Sequence, residues 1–273
     1  MALDNLKKDK ITEVVKNILA SRIETFPELN HQNRNAPFHD LILKAFDKQL
    51  HNLSIPTPYL VAISSWMHGL STSLGSGFEA LSHILSGGYK KTFTKNFTLE
   101  VKTSQATTIE RIVRELKSGI KPDVRRENDL IFSFQTKDQN IKALEFTVDN
   151  YLQKESYIEG IELKSVRPNS GEGRGEKQKI LYAKAAFRLK NPKKEIKYYV
   201  GFPFDPTSRT PTGYDKERFF NYLVEFKKFF AFDEVLLSAE LWDHLSGQKN
   251  TMEEVFEIIT KTIELVVKNP INL

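Results

Sequence analysis

Apolar residues recur at helical spacing through the first third of the chain. They do so over residues 11–24 and again over residues 38–50, which predicts two amphipathic helices. A longer apolar stretch follows at residues 59–85 and is interrupted by three glycines. Because glycine weakens a helix interior, we expect two helices there, at about 58–70 and 76–86.

After residue 88 the pattern changes to short runs rich in β-branched and aromatic residues. These predict strands, and helical periodicity returns between and after them. The predicted strands are 91–103, 129–136, 143–152, 157–166, 197–202 and 233–237. The predicted helices are 106–118, 175–189, 215–230, 239–246 and 251–267, and loops are expected at 120–128, 168–175 and 203–213.

This order predicts an α/β fold with a mixed central β-sheet flanked by helices and an N-terminal helical layer. A length of 273 residues suits one large domain. We expect a single domain over 1–273, with an N-terminal helical region at 1–88, an α/β core at 89–237 and C-terminal helices at 238–273.

The composition excludes several kinds of chemistry. The chain has no cysteine, which excludes disulfides, a thiolate nucleophile, cysteine-bound zinc and iron–sulfur clusters. It shows neither a signal-peptide pattern nor an apolar run of membrane-spanning length. These observations favour a soluble cytoplasmic protein without a membrane partner.

Positive charge is concentrated in one part of the chain. Residues 151–200 carry 12 basic and six acidic side chains, whereas the whole chain has a net charge of only +5. A surface that binds a polyanion should therefore centre on residues 151–200. A solvated helix face rich in lysine is the alternative explanation.

Two carboxylates and a lysine stand next to this basic segment. Glu162 and Lys164 are two positions apart on a predicted strand, so both side chains project from the same face. Asp149 lies on the preceding predicted strand, and a hairpin could bring its carboxylate beside Glu162.

Such a group of residues suits metal-assisted hydrolysis of a phosphodiester. Carboxylates, together with the backbone carbonyl of Leu163, are hard oxygen ligands of the kind that Mg²⁺ prefers. Lys164 could orient the attacking water or neutralise developing charge. A surface Glu–Lys pair on a half-exposed strand is the alternative interpretation of these two residues.

Basic and amide side chains that could contact DNA follow the Glu-x-Lys strand. Arginine pairs with guanine, and asparagine or glutamine pairs with adenine, whereas lysine more often holds phosphates. The candidates are Arg167, Asn169, Arg174, Lys177 and Gln178, and the basic surface is expected to continue at Lys184, Arg188 and Lys190. Solvated loop and helix residues are the alternative.

The Asp and Glu-x-Lys pattern resembles that of the PD-(D/E)XK nuclease superfamily. The resemblance implies a nuclease sheet in which Asp149 is the first acid, Glu162 the second acid and Lys164 the catalytic lysine. The proline that usually precedes the first acid is absent, because Thr147 and Val148 stand there. Asp138 and Glu145 therefore remain alternative first acids.

A longer run is similar to one family of type II restriction endonucleases, the TdeIII/MjaII-type family. This run, residues 161–187, reads IELKSVRPNSGEGRGEKQKILYAKAAF. Residues 65–85 also resemble the helical segment that precedes the catalytic core in many restriction enzymes. An acid on that helix can approach the metal site in such enzymes, which nominates Glu79.

The resemblance implies a Mg²⁺-dependent homodimer that cuts double-stranded DNA at a short palindromic site, and it suggests a site of GGNCC type. It also implies a cognate DNA methyltransferase as a genetic partner. Two other functions stay open from the residues: a repair or junction-resolving nuclease of the same superfamily, and a DNA-binding module without catalysis. A fixed cut site in any linear duplex would favour restriction.

Overall fold

The computed structural model describes residues 3–28, 37–46, 48, 50, 56–94, 99–135, 137–164 and 170–268. Its N-terminal part is helical, as the periodicity predicts. Helix α1 spans Asn5–Ile23 and begins where the Asp4 carboxylate accepts a hydrogen bond from the Lys7 amide. Helix α2 spans Pro37–Leu43 and continues into a 3₁₀ turn at Lys44–Phe46.

Helix α3 is a single helix over Thr57–Ser86, so the prediction of two helices is wrong. Two of the three glycines inside it permit close packing against α1. A Cβ at Gly77 would lie 2.8 Å from Ile18 Cδ1, and one at Gly69 would clash with the Arg22 guanidinium. The helix ends at Gly87, which adopts a left-handed conformation with φ of 73°.

Five strands form the central mixed sheet. They are β1 (Tyr89–Phe93), β4 (Phe146–Gln153), β5 (Tyr157–Leu163), β6 (Glu195–Phe202) and β7 (Val235–Leu237). The strand order is β1-β4-β5-β6-β7, in which the first two pairings are antiparallel and the last two are parallel. Strands β2 (Glu100–Lys102) and β3 (Asn140–Lys142) pair separately in a two-stranded sheet.

Six further helices accompany the strands in the described part of the chain. They are α4 (Thr103–Lys117), α5 (Val124–Phe132), α6 (Ser170–Lys190), α7 (Lys216–Tyr222), α8 (Ala239–Ser246) and α9 (Thr251–Lys268). Short 3₁₀ turns at Phe226–Lys228 and Phe232–Glu234 separate α7 from β7. The mixed sheet flanked by helices confirms the predicted fold class.

Three further local predictions are wrong. Helix α5 replaces the strand expected at 129–136 and part of the loop expected at 120–128, because Asp123 caps it and it buries Glu127 and Ile131 one turn apart. Helix α6 begins at Ser170, within the expected glycine-rich loop. The helix expected at 215–230 ends at Tyr222.

The hydrophobic core lies on both faces of the sheet. Ile158, Tyr198 and Val200 belong to a cluster with α4, α6 and the phenylalanines around α7. Ile161 and the other face of the sheet pack with α1, α3, α8 and α9. Strand β5 is thus covered on both faces, and its charged side chains are buried. Of the described helices, none has the length and apolar character needed to cross a membrane.

Candidate active site

The β4–β5 hairpin places Asp149 beside the Glu-x-Lys strand. In the antiparallel register Asn150 faces Ile161, so Asp149 lies opposite Glu162. The Asp149 carboxylate accepts a hydrogen bond from the Leu163 amide, with Oδ2 3.0 Å from the nitrogen. The sequence-based expectation that a hairpin brings these two acids together is confirmed in this geometry.

Glu162 and Lys164 lie at the carboxyl end of β5. Glu162 is 5% exposed, and its Oε1 is 3.4 Å from the Lys164 ammonium. The Lys164 amide donates to the Gly201 carbonyl at 2.9 Å, which continues the pairing with β6 past the last strand residue. Extended backbone therefore keeps both side chains on one face.

Helix α6 contributes two charged residues that sequence analysis missed. Lys179 approaches Glu162 more closely than Lys164 does, with its Nζ 2.7 Å from Glu162 Oε1. Glu176 contacts both lysines, at 3.0 Å from Lys179 and 3.4 Å from Lys164. Their helical i,i+3 spacing directly after the Glu-x-Lys strand was a usable signal.

Burial dominates the electrostatics of the acids. It raises the pKa of Glu162 to about 7, although Lys179 opposes this change. Burial also raises the pKa of Asp149, which the Leu163 hydrogen bond partly offsets. Burial alone would lower the pKa of Lys164, but the Glu176 and Glu162 carboxylates outweigh it and raise that pKa.

Helix α3, which packs on the opposite face of the sheet from α6, also contacts this centre. His83 Nε2 lies 2.7 Å from the Asp149 carbonyl oxygen. The Glu79 carboxylate accepts a hydrogen bond from Lys90 of β1 at 2.9 Å. That bond, followed by weaker attraction from Asp149 and Glu162, raises the pKa of Lys90. Glu79 is thus near the acids, and its direct partner is Lys90.

The carboxylates fit a divalent cation that prefers oxygen ligands. Glu162 Oε2 is buried and has no hydrogen-bond partner, which is costly unless a cation or water completes it. Within the described ranges, no three His, Cys, Asp or Glu side chains converge into a complete metal site. A cation held by two carboxylates would therefore need backbone oxygen, water or phosphate as well, as Mg²⁺ commonly does.

The alternative first acids lie elsewhere. Asp138 precedes β3 of the two-stranded sheet and accepts a hydrogen bond from Ser104. Glu145 is exposed and directly precedes β4. Among these three candidates, the described contacts connect only Asp149 with β5, which favours it.

The proposed DNA-contacting residues differ in their exposure to solvent. Arg174 is exposed and Gln178 is half-buried on α6, whereas Arg167 and Asn169 lie outside the described residues. Lys177 is fully buried between the Glu127 and Glu234 carboxylates, at 2.6 Å from Glu234 Oε1. The prediction that Lys177 contacts DNA is therefore wrong, because these acids hold its ammonium in the core.

Lys184 is also buried, at 1% exposure, so it does not extend a basic surface as expected. Burial lowers its pKa to about 8. Arg188 donates to the Pro192 carbonyl at 3.0 Å and lies over the Phe132 ring. The positive face of α6 is consequently narrower than the count of basic residues suggested.

The mixed sheet flanked by helices is consistent with a restriction endonuclease fold, and its paired acids with an adjacent lysine suit phosphodiester hydrolysis. Comparison with known families agrees. The family described as "Type II restriction endonuclease, HinfI" matches residues 3–263. The chain belongs to this family and is a site-specific endonuclease, which confirms the resemblance to type II restriction enzymes.

Individual relatives carry the same description. The type II restriction enzyme MjaII of Methanocaldococcus jannaschii is 44% identical over 257 residues, which cover 92% of this chain and 69% of the relative. The type II restriction enzymes HgiEI and HgiBI of Herpetosiphon aurantiacus are 21% and 20% identical, over 98% of this chain and 99% of each relative. These matches favour restriction over repair or junction resolution.

Proposed function

We propose that this endonuclease requires Mg²⁺ and that Asp149 and Glu162 are the metal ligands. The observation that supports this best is the pairing of the two acids across the β4–β5 hairpin, with Glu162 Oε2 buried and without a hydrogen-bond partner. The Leu163 backbone carbonyl is the third protein ligand in this proposal. Glu79 is a further candidate ligand, and its carboxylate would have to leave Lys90 to bind the metal.

Lys164 acts on the attacking water and the phosphate. Mg²⁺, when bound, would lower the pKa of water and withdraw charge from the phosphodiester. The water oxygen bonds to phosphorus and its proton passes to solvent, while the bond from phosphorus to one sugar oxygen breaks and the leaving oxygen takes a proton from solvent. The Lys164 ammonium stabilises the negative charge that develops on the phosphate oxygens.

DNA recognition is assigned to the residues around the start of α6. Arg174 and Gln178 are accessible there, and Arg167 and Asn169 are proposed from their residue types. The chain is proposed to work in the cytoplasm as one nuclease domain within a homodimer. Its target is proposed to be a short palindrome of double-stranded DNA, of GGNCC type by resemblance, protected in the host by a methyltransferase.

Cleavage of unmethylated plasmid tests this function. The wild type should give discrete fragments with Mg²⁺ and none with a chelator, and sequencing the ends should reveal one short site. Glu162→Ala should stop cutting and leave DNA binding intact. Glu159→Ala is the matched control: Glu159 is also buried on β5, but on the opposite face, where it contacts His244 at 3.0 Å.

Two outcomes contradict the proposal. One is a wild-type protein that leaves every duplex intact across a range of salt and metal concentrations. The other is a Glu162→Ala protein that cuts as fast as the Glu159→Ala control, because the acid facing Asp149 would then be dispensable.

A further inference from the structure

We propose that Glu176 and Lys179 of α6 are positioning residues that hold Glu162 and Lys164 in their working orientation. This inference rests on the proposed function, because it concerns the same acids and lysine. Its subject is the side of the site that faces α6, which the Asp and Glu-x-Lys pattern does not include.

The four side chains form a closed ring of ion pairs. Each lysine contacts both glutamates: Lys179 at 2.7 Å and 3.0 Å, and Lys164 at 3.4 Å to each. The ring has two positive and two negative members, so it adds no net charge to the centre. All four side chains are at least about three-quarters buried, since Lys164, the most exposed, retains 26% of its accessible side-chain surface.

The ring distinguishes the two oxygens of Glu162. Both lysines contact Oε1, and Oε2 is left without a hydrogen-bond partner. One oxygen is therefore held by the protein and the other is available to a cation. Orientation of a metal-binding carboxylate by such neighbours typically changes metal affinity 10- to 100-fold.

Lys177, which lies between Glu176 and Lys179 in the sequence, fixes the rotation of α6 about its axis. Lys177 is buried on the core side of the helix by Glu127 and Glu234, which belong to α5 and the 3₁₀ turn before β7. With Lys177 held there, Glu176 and Lys179 are presented to β5. Burial of an ion pair carries a desolvation cost that often cancels its contribution to stability, so this buried placement favours a role at the site.

A double substitution that conserves net charge tests the inference. Glu176→Gln with Lys179→Met removes one negative and one positive charge, so a change in metal binding reports on positioning. The control is Glu225→Gln with Lys228→Met, an exposed i,i+3 ion pair of 2.7 Å. Calorimetric titration with Mn²⁺ gives metal affinity without turnover, and steady-state kinetics separate kcat from KM.

We expect the double variant to bind Mn²⁺ about tenfold more weakly and to lose at least about tenfold in kcat, with its KM for DNA within threefold of the wild type. The control pair should match the wild type. Lys179→Met alone should show a loss in the same direction, whereas Lys179→Arg should keep most of the wild-type affinity and kcat, since a guanidinium can contact both glutamates. These two single variants test the inference if the double variant folds poorly.

If the wild type binds Mn²⁺ and Glu162→Ala does not, a double variant with metal affinity and kcat within twofold of the wild type would overturn the positioning role. The proposed function would then still stand. A Lys179→Arg variant no better than Lys179→Met would also overturn the positioning role. If the wild type binds no metal and cuts no DNA, the proposed function and this inference fail together.

Discussion

Glu162 should make the metal-free protein less stable at neutral and alkaline pH. Its carboxyl is buried on the α6 side of the sheet, and burial raises its pKa to about 7 from an ordinary value of 4.5. The folded protein therefore binds a proton at this position that the unfolded chain releases. Stability from this group is complete below about pH 4.5 and is lost as the pH rises toward 7.

The magnitude follows from the two pKa values. Between pH 5 and pH 8 the linkage relation gives a loss of about 2.5 kcal/mol in the free energy of unfolding from Glu162 alone. Glu162→Gln mimics the protonated side chain and removes this loss. The variant should therefore gain about 2.5 kcal/mol relative to the wild type between these two pH values.

Denaturant unfolding in the presence of a chelator measures the effect. Wild type and Glu162→Gln are compared at pH 5, 6, 7 and 8, so that other titrating groups cancel in the difference. Ile158→Val on the same strand serves as a control, because it weakens the core by about 1 kcal/mol without removing a titrating group. This control should keep the pH dependence of the wild type.

A constant difference between Glu162→Gln and the wild type across this range would refute the reasoning. The reasoning would be refuted even more strongly if the wild type gained stability relative to Glu162→Gln as the pH rises. Either result would mean that the ammonium groups of Lys179 and Lys164 compensate the burial of Glu162 fully.

Three further substitutions test other parts of the structure. Lys177→Met should lower the free energy of unfolding by about 3–5 kcal/mol, because it leaves buried carboxylates uncompensated; denaturant unfolding shows this, and an unchanged midpoint would contradict it. Gly160→Ala should destabilise by about 1–3 kcal/mol, since the new Cβ would lie 2.6 Å from the Tyr198 ring; the melting temperature measures this. Arg174→Ala should weaken DNA binding and make the slope of log K against log salt concentration shallower by about one. A slope equal to that of the wild type would contradict this prediction.

The pairing of β4 with β5 was predictable because its signals are local. Glu162 and Lys164 share a face by strand alternation, and the short connection from Asp149 allows an antiparallel hairpin. Most helix and strand positions followed from hydrophobic periodicity for the same reason.

The errors arose where distant residues decide the outcome. Lys177 has the residue type of a surface cation, but its partner Glu234 is 57 positions away, and no local pattern shows that pairing. Gly69 and Gly77 of α3 serve its contact with α1 and do not break the helix. Helix α5 is stabilised in part by burial of Glu127 against Lys177, which strand propensity does not describe.

Cleavage and binding measured together on Asp149→Asn give the most direct test of the account. The wild type and the variant are compared on a plasmid with a cut site, with DNA affinity determined on the same preparations. We expect a cleavage rate lower by roughly a hundredfold or more, with DNA affinity within a few-fold of the wild type. Wild-type cleavage by Asp149→Asn, together with loss of cleavage in Asp138→Asn or Glu145→Gln, would contradict it.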